Sequence, residues 1–130
     1  MCIRDRTYIA RVDGNVEGDS GHINLPLRCD WPNRPKQMVC FDHGKSAQTD
    51  WNIMERETGV TRLALFPKTG RSHQLRVHCL AMGHPILGDT FYAHEKAMRA
   101  AERLQLHATR LRLRHPEGGD WLDLNVPCPF

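Results

Sequence analysis

The stretch from Thr69 to Tyr92, TGRSHQLRVHCLAMGHPILGDTFY, constrains this chain more than any other. Leu75, Cys79 and Met82 recur at i, i+4 and i+7, which lays an apolar stripe along one face of an α-helix. Ser72 fits the N-cap, where a hydroxyl accepts from the free amides of the first turn. Gly83 suits the left-handed residue that ends a helix, and Pro85 stops the helix from resuming. Gly70-Arg71-Ser72 therefore leads into a helix end whose amides and dipole favour an anion. Arg71 and Arg76 add formal charge there, although by residue type alone an arginine on a helix is solvated.

The same stretch carries His73, His78 and His84. A zinc site needs ligands that converge. Five residues apart on a helix, His73 and His78 point about 140° away from one another. Each is expected to serve structure, and no metal site is expected.

The totals narrow the class. A chain of 130 residues is long enough for one domain with a real core. No apolar run approaches a membrane span, and Met1 to Arg6, MCIRDR, lacks the apolar region of a signal peptide. A formal charge of +3 permits a polyanionic partner without demanding one. The five cysteines are scattered with no CxxC pair, against a zinc ribbon or thioredoxin motif. They read as reduced thiols of a cytoplasmic protein.

Along the chain, Thr7 to Val12 alternates as a strand, with Tyr8, Ala10 and Val12 on one face. Two turn-rich pieces, 13–15 and 18–21, precede a short strand candidate at His22 to Leu27, stopped by Pro26. Arg28 to Lys36, RCDWPNRPK, reads as a loop from its prolines and Asn. Gln37 to Phe41 is a strand candidate, and Ala47 to Met54 alternates weakly, with Trp51 packed. Glu57-Thr58-Gly59 is a hairpin turn before a strand at Val60 to Phe66, where Leu63 and Leu65 share a face. His94 to Arg103 has helix-forming composition. Leu106 to His115 alternates strongly, Glu117 to Asp120 is a turn, and Trp121 to Val126 is a last strand. The fold class is α+β: a mixed, mostly antiparallel sheet with two or three short helices.

Two features could meet a nucleic acid. Trp31 sits among Arg28, Arg34 and Lys36. It either stacks on a base while the cations meet phosphates, as single-stranded RNA surfaces do, or anchors the loop to the core among solvated charges. Arg110, Arg112 and Arg114 share one face of the strand from Leu106. They could track an RNA backbone; the ordinary explanation is the charged solvent side of an edge strand.

GRSHQLRVHCLAMGHPILGDTFYA resembles the late motif of the RluA-type pseudouridine synthases. Gly70, Arg71, Ser72, His73, Gln74, Leu75, Arg76, His78, Gly83, His84, Pro85, Ile86, Gly88, Asp89 and Tyr92 all fit it. Leu25 to Val39, LPLRCDWPNRPKQMV, resembles the branch that acts on both ribosomal RNA and tRNA. The similarity runs from about Thr7 to Phe130. Residues 1–6 match nothing in the family and are set aside as a non-family head, leaving 7–130 as the C-terminal part of a synthase catalytic domain.

The resemblance implies conversion of uridine to pseudouridine, with RNA as the partner, a monomeric chain and no cofactor. It also implies an essential aspartate in a motif like H-R-L-D-x-x-T-S-G. Arg-Leu occurs at Arg62, Arg103, Arg110 and Arg112, never followed by Asp. The chain therefore looks like a C-terminal fragment, inactive alone. By resemblance Tyr8 stacks on the target base, Arg76 pairs with the missing aspartate and Leu75 packs beside the base. Arg76 is accordingly expected to be partly orphaned and to face an open cleft. Arg71 binds phosphate or supports structure, and His73, His84 and Asp89 are scaffold. RNA contact is assigned to Arg28, Trp31, Arg34, Lys36, Arg71, Arg110, Arg112 and Arg114. A non-catalytic RNA-binding module is the alternative; a His-rich metal hydrolase fits the spacing poorly.

Overall fold

In the computed structural model, which describes residues 2–69, 73–114 and 121–130, the alternating segments become eight strands. They are β1 (Cys2–Asp13), β2 (Ser20–Asn24), β3 (Leu27–Cys29), β4 (Gln37–Val39), β5 (Gln48–Glu57), β6 (Val60–Pro67), β7 (Leu106–Arg114) and β8 (Trp121–Asn125). Two helices, α1 (Gln74–Ala81) and α2 (Glu95–Arg99), lie between β6 and β7. Six strands form one sheet in the order β2-β5-β6-β1-β7-β8, and β3 and β4 form a separate hairpin. Every described pairing is antiparallel.

The sheet has one apolar face because its central strands alternate. Ala10 and Val12 of β1 join Leu63 and Leu65 of β6, Trp51 of β5 and Ile23 of β2 in a single buried cluster. Leu75 and Cys79 of α1 close over it, with Met82 packed at its margin, so the helix stripe meets the sheet as expected. The other side of α1 carries Val77 into a second cluster with Leu27 and Ala47, against which Val39 and Tyr92 pack. That contact seats the β3-β4 hairpin on the helix.

The end of α1 follows local chemistry. Gly83 lies at φ +86°, its amide donating to Leu80 O at 2.9 Å, and the His84 amide donates to Cys79 O at 3.0 Å. These two bonds close the last turn around a left-handed residue. No neighbour would crowd a Cβ at Gly83, so Gly83→Ala meets only backbone strain. Its expected cost is about 1–2 kcal/mol, read from the urea unfolding midpoint. A midpoint that does not move would show that the turn relaxes to negative φ.

The structure departs from several expectations. α1 begins after His73, which takes the N-cap position at φ 53° with no side-chain cap bond; Ser72, expected there, lies outside the described residues. Strand β1 runs back to Cys2, so the backbone of the set-aside head pairs with β7. The expected loop from Arg28 contains part of a hairpin, its tip a 3-10 turn at Trp31–Asn33. Strand β7 is no edge strand: β1 and β8 flank it, because strand order is set by pairings distant in sequence. Helix α2 stops at Arg99, short of Arg103. The chain there turns back to the sheet, with the Gln105 amide on Leu87 O at 2.9 Å and the Arg11 amide on Gln105 O at 3.1 Å. Gly88 permits this return, since a Cβ on it would lie 2.1 Å from Arg103 O.

Candidate active site

α1 is fixed to the sheet by a run of polar contacts that its sequence supplies at i and i+4. Gln74 and His78 are both buried. Gln74 Nε2 donates to Gln48 O at 2.8 Å and to Thr49 Oγ1 at 2.9 Å, while its Oε1 accepts from Thr69 Oγ1 at 2.6 Å. Thr69 Oγ1 in turn accepts the Gln48 amide at 3.0 Å. Thr49 Oγ1 lies 2.9 Å from His78 Nδ1, and His78 Nε2 lies 3.0 Å from Leu25 O. With Leu25 O as an obligate acceptor, Nε2 carries the proton and Nδ1 accepts from the threonine. Burial holds the His78 pKa below its ordinary value. These bonds set the helix axis, and with it the direction of the next residues, Leu75 and Arg76.

Arg76 is not orphaned. Its Nε donates to Asp89 Oδ2 at 3.0 Å and its Nη2 to Asp89 Oδ1 at 2.5 Å. Asp89 is fully buried, and its Oδ1 also accepts the Phe91 and Tyr92 amides at 3.0 and 3.2 Å. The expectation of a partly free Arg76 is corrected for a physical reason: a carboxylate buried in the turn must have a cation, and Arg76 is 15% exposed beside it. The fork also lies against the rings of Phe91 and Tyr92, 5.1 and 5.3 Å from their centroids. Its third nitrogen, Nη1, bonds to no described residue.

Leu75 and Arg76 line one cavity of about 180 Å³ together with Tyr8, Arg6, Pro67, Thr69, His73, Gln74 and Leu106. Tyr8 enters from β1, where Leu65 and Ala108 are its neighbours on β6 and β7. Its hydroxyl bonds to no described residue. Arg6 Nη2 donates to Thr69 O at 2.7 Å and fixes the rim. The cavity thus presents an aromatic ring, an aliphatic wall and a guanidinium. That set can hold a flat heterocycle beside an anion.

His73 forms the remaining wall. Its ring stacks on Phe91, with centroids 5.7 Å apart and planes at 25°, and meets Tyr92 edge-on. Its Nδ1 lies 2.6 Å from Tyr92 Oη, which also accepts the Gln37 amide at 2.9 Å. Burial, then the nearby Arg76 charge, lower the His73 pKa, while burial raises that of Tyr92. Read from the sequence, His73 is scaffold and Tyr92 only fits the motif, so neither is expected at the site. The spacing of HQLR to GDTFY was visible, but nothing local says that the turn folds back over the helix start.

Of the residues assigned to RNA, the described ones do not line this cavity. Trp31 is 61% exposed and belongs to neither core cluster, so it does not anchor the hairpin. Arg34 sits over its ring at 5.1 Å. Arg28 and Lys36 are half-buried on the same hairpin, and Met38 and the neighbouring Phe41 are exposed. The hairpin joins the cavity wall through the Gln37–Tyr92 bond. Arg110 is exposed on β7, opposite Thr7. Arg71 and the side chains of Arg112 and Arg114 lie outside the described residues. Among the described residues no three His, Cys, Asp or Glu side chains converge as metal ligands would. No described helix is long and apolar enough to cross a membrane.

Residues 4–81 match the family model for RNA pseudouridylate synthase. The dual-specificity RNA pseudouridine synthase RluA of Yersinia pestis is 64% identical over 126 residues, which cover 96% of this chain and 61% of that protein. Its counterpart in Escherichia coli (strain K12) is 52% identical over 126 residues, covering 96% of this chain and 58% of that protein. The chain thus spans about three fifths of the length of these curated relatives. Among solved structures, human RNA pseudouridylate synthase domain containing 1 superposes with a TM-score of 0.85 at 30% identity, covering 97% of this chain and 55% of that one. Human RNA pseudouridylate synthase domain containing 4, at 23% identity and a TM-score of 0.72, shares the fold. The matched stretch runs from the strand bearing Tyr8 through the helix bearing Leu75 and Arg76, and on that ground the chain belongs to the RNA pseudouridylate synthase family.

Proposed function

We propose that this chain forms the base-holding part of a cytoplasmic synthase that converts uridine to pseudouridine in ribosomal RNA and tRNA. The convergence of Tyr8, Leu75 and Arg76 on one cavity carries the reading. In the reaction the N1–C1′ bond of uridine breaks, a C5–C1′ bond forms, the C5 hydrogen leaves to solvent and N1 takes up a proton. Tyr8 supplies a π-face in place of the stacking that a flipped-out uracil loses. Leu75 packs on the ring edge. Arg76 keeps Asp89 with two nitrogens and offers Nη1 to a second carboxylate, which a cation at that range holds ionised and aimed. The aspartate of an R-L-D motif in the parent protein is that carboxylate, and without it this chain is inactive. RNA reaches the cavity across the β3-β4 hairpin, where the exposed Trp31 and the cations Arg28, Arg34 and Lys36 hold a single strand.

Two measurements test this. RNA tritiated at uridine C5 should release no tritium with this chain alone and should release it with a chain that also carries the R-L-D segment. Turnover by the isolated chain sinks the claim that it lacks its nucleophile, and no turnover by the longer chain leaves a non-catalytic RNA-binding module. Trp31→Ala should weaken RNA binding by about 1–3 kcal/mol, the worth of one base stacked on an aromatic ring. Its unfolding midpoint should scarcely move, because Trp31 contributes little to the core. Unchanged affinity would remove the hairpin from the RNA path.

A further inference from the structure

We propose that His73 reads the base in the cavity: Tyr92 holds it as a neutral imidazole whose single N–H, on Nε2, donates to a carbonyl oxygen of the pyrimidine ring. The inference rests on the pseudouridine reading and gives a role to a side chain that the resemblance leaves as scaffold.

The tautomer follows from the order of donors. The Gln37 amide can only donate, and it donates to Tyr92 Oη at 2.9 Å. The phenol proton must then go elsewhere, and His73 Nδ1 at 2.6 Å is the acceptor at hand. A tyrosine whose pKa burial raises keeps that proton. With Nδ1 accepting, a neutral ring carries its proton on Nε2. Burial and the adjacent Arg76 both oppose a second proton. Nε2 bonds to no described residue, and His73 lines the same cavity as Tyr8, Leu75 and Arg76.

The backbone supports a dedicated role. His73 is the only described non-glycine residue with positive φ, at 53°. Side chains seldom adopt that conformation unless their surroundings impose it. Here the stacking on Phe91 and the bond to Tyr92 hold the ring over the cavity. A neutral N–H suits an uncharged carbonyl, while the cation needed for an anion is already present as Arg76. Uracil offers two such carbonyls; an abasic ribose offers none. Tyr92 acts through His73 and is a positioning residue.

The test uses the whole chain, labelled with nitrogen-15, and an RNA stem-loop with one loop uridine. Long-range proton–nitrogen correlation should find His73 protonated on Nε2 alone in the wild type, and a mixture of tautomers in Tyr92→Phe. The wild type should prefer the uridine loop to the same loop with an abasic ribose. His73→Ala should cut that preference about five- to tenfold, as for one hydrogen bond between uncharged groups. His73→Gln, whose amide can donate, should recover part of it. A proton on Nδ1 in the wild type, or a preference unchanged in His73→Ala, overturns the role of His73. A wild type that does not distinguish the two RNAs instead sinks the base-cavity reading beneath it. The tautomer measurement needs no variant, so a variant that fails to fold does not shield the proposal.

Discussion

Asp89→Ala is expected to lower the stability of this domain by about 3–5 kcal/mol, the cost of leaving a buried pair with one member. Asp89 has no exposed surface, and its loss leaves four donors without their acceptor: Nε and Nη2 of Arg76 and the amides of Phe91 and Tyr92. Arg76, only 15% exposed, would keep its charge without a partner. Since small domains hold about 5–15 kcal/mol in all, the variant should sit near its unfolding midpoint in mild urea. Asp89→Asn keeps an acceptor for the two amides and should lose roughly half as much. The paired change Arg76→Met with Asp89→Leu removes both charges together and should cost less than the two single changes summed. Urea unfolding of the wild type, the two Asp89 variants, the double variant and its two component single variants measures all of this. A loss below about 1 kcal/mol in Asp89→Ala, where an exposed pair falls, would show that water reaches the pair and that the turn does not depend on it.

That pairing could not be read in the sequence. Arg76 lies on the helix and Asp89 in the turn that follows, and periodicity says nothing about how the turn folds back. The helix itself was legible, because Leu75, Cys79 and Met82 repeat at its period and Gly83 with Pro85 closes it by chemistry confined to the stretch from Cys79 to Pro85. The strands were legible where one face is buried and alternation is strict, as at Leu63 and Leu65 or Ala10 and Val12. Strand order was not. Whether β7 lies at an edge depends on pairings with β1 and β8, which no local pattern records. The helix start was misjudged because the N-cap rule weighs the hydroxyl of Ser72. His73 takes the position instead, its ring committed to Tyr92 and Phe91. Tyr8, Leu75 and Arg76 were named from resemblance alone; spacing would never have joined a residue of β1 to two of α1. Their meeting at one cavity is a property of the folded sheet.

His78 should make the domain acid-sensitive. Its pKa is held below the ordinary imidazole value of 6.5, chiefly by burial. The unfolded chain therefore binds a proton near 6.5 that the folded chain refuses. Stability from this group is complete above that pH and declines as pH falls below it, until the folded His78 itself protonates. His73, lowered for the same leading reason, adds a decline of the same sign. A second proton has only Nδ1 to occupy. Nε2 already donates to Leu25 O, and a proton on Nδ1 would face the hydroxyl that Thr49 donates, with Thr49 itself held by Gln74. His78→Ala should cost about 2–4 kcal/mol through lost packing and the stranded Leu25 carbonyl, and it should flatten the slope of stability between about pH 7.5 and 5.5. If the alanine chain fails to fold, a nuclear magnetic resonance titration of the wild type decides the matter. A His78 ring that takes up its proton at or above 6.5 would mean that the polar run fixing α1 to the sheet is open to water, and the direction it gives to Leu75 and Arg76 would then need another cause.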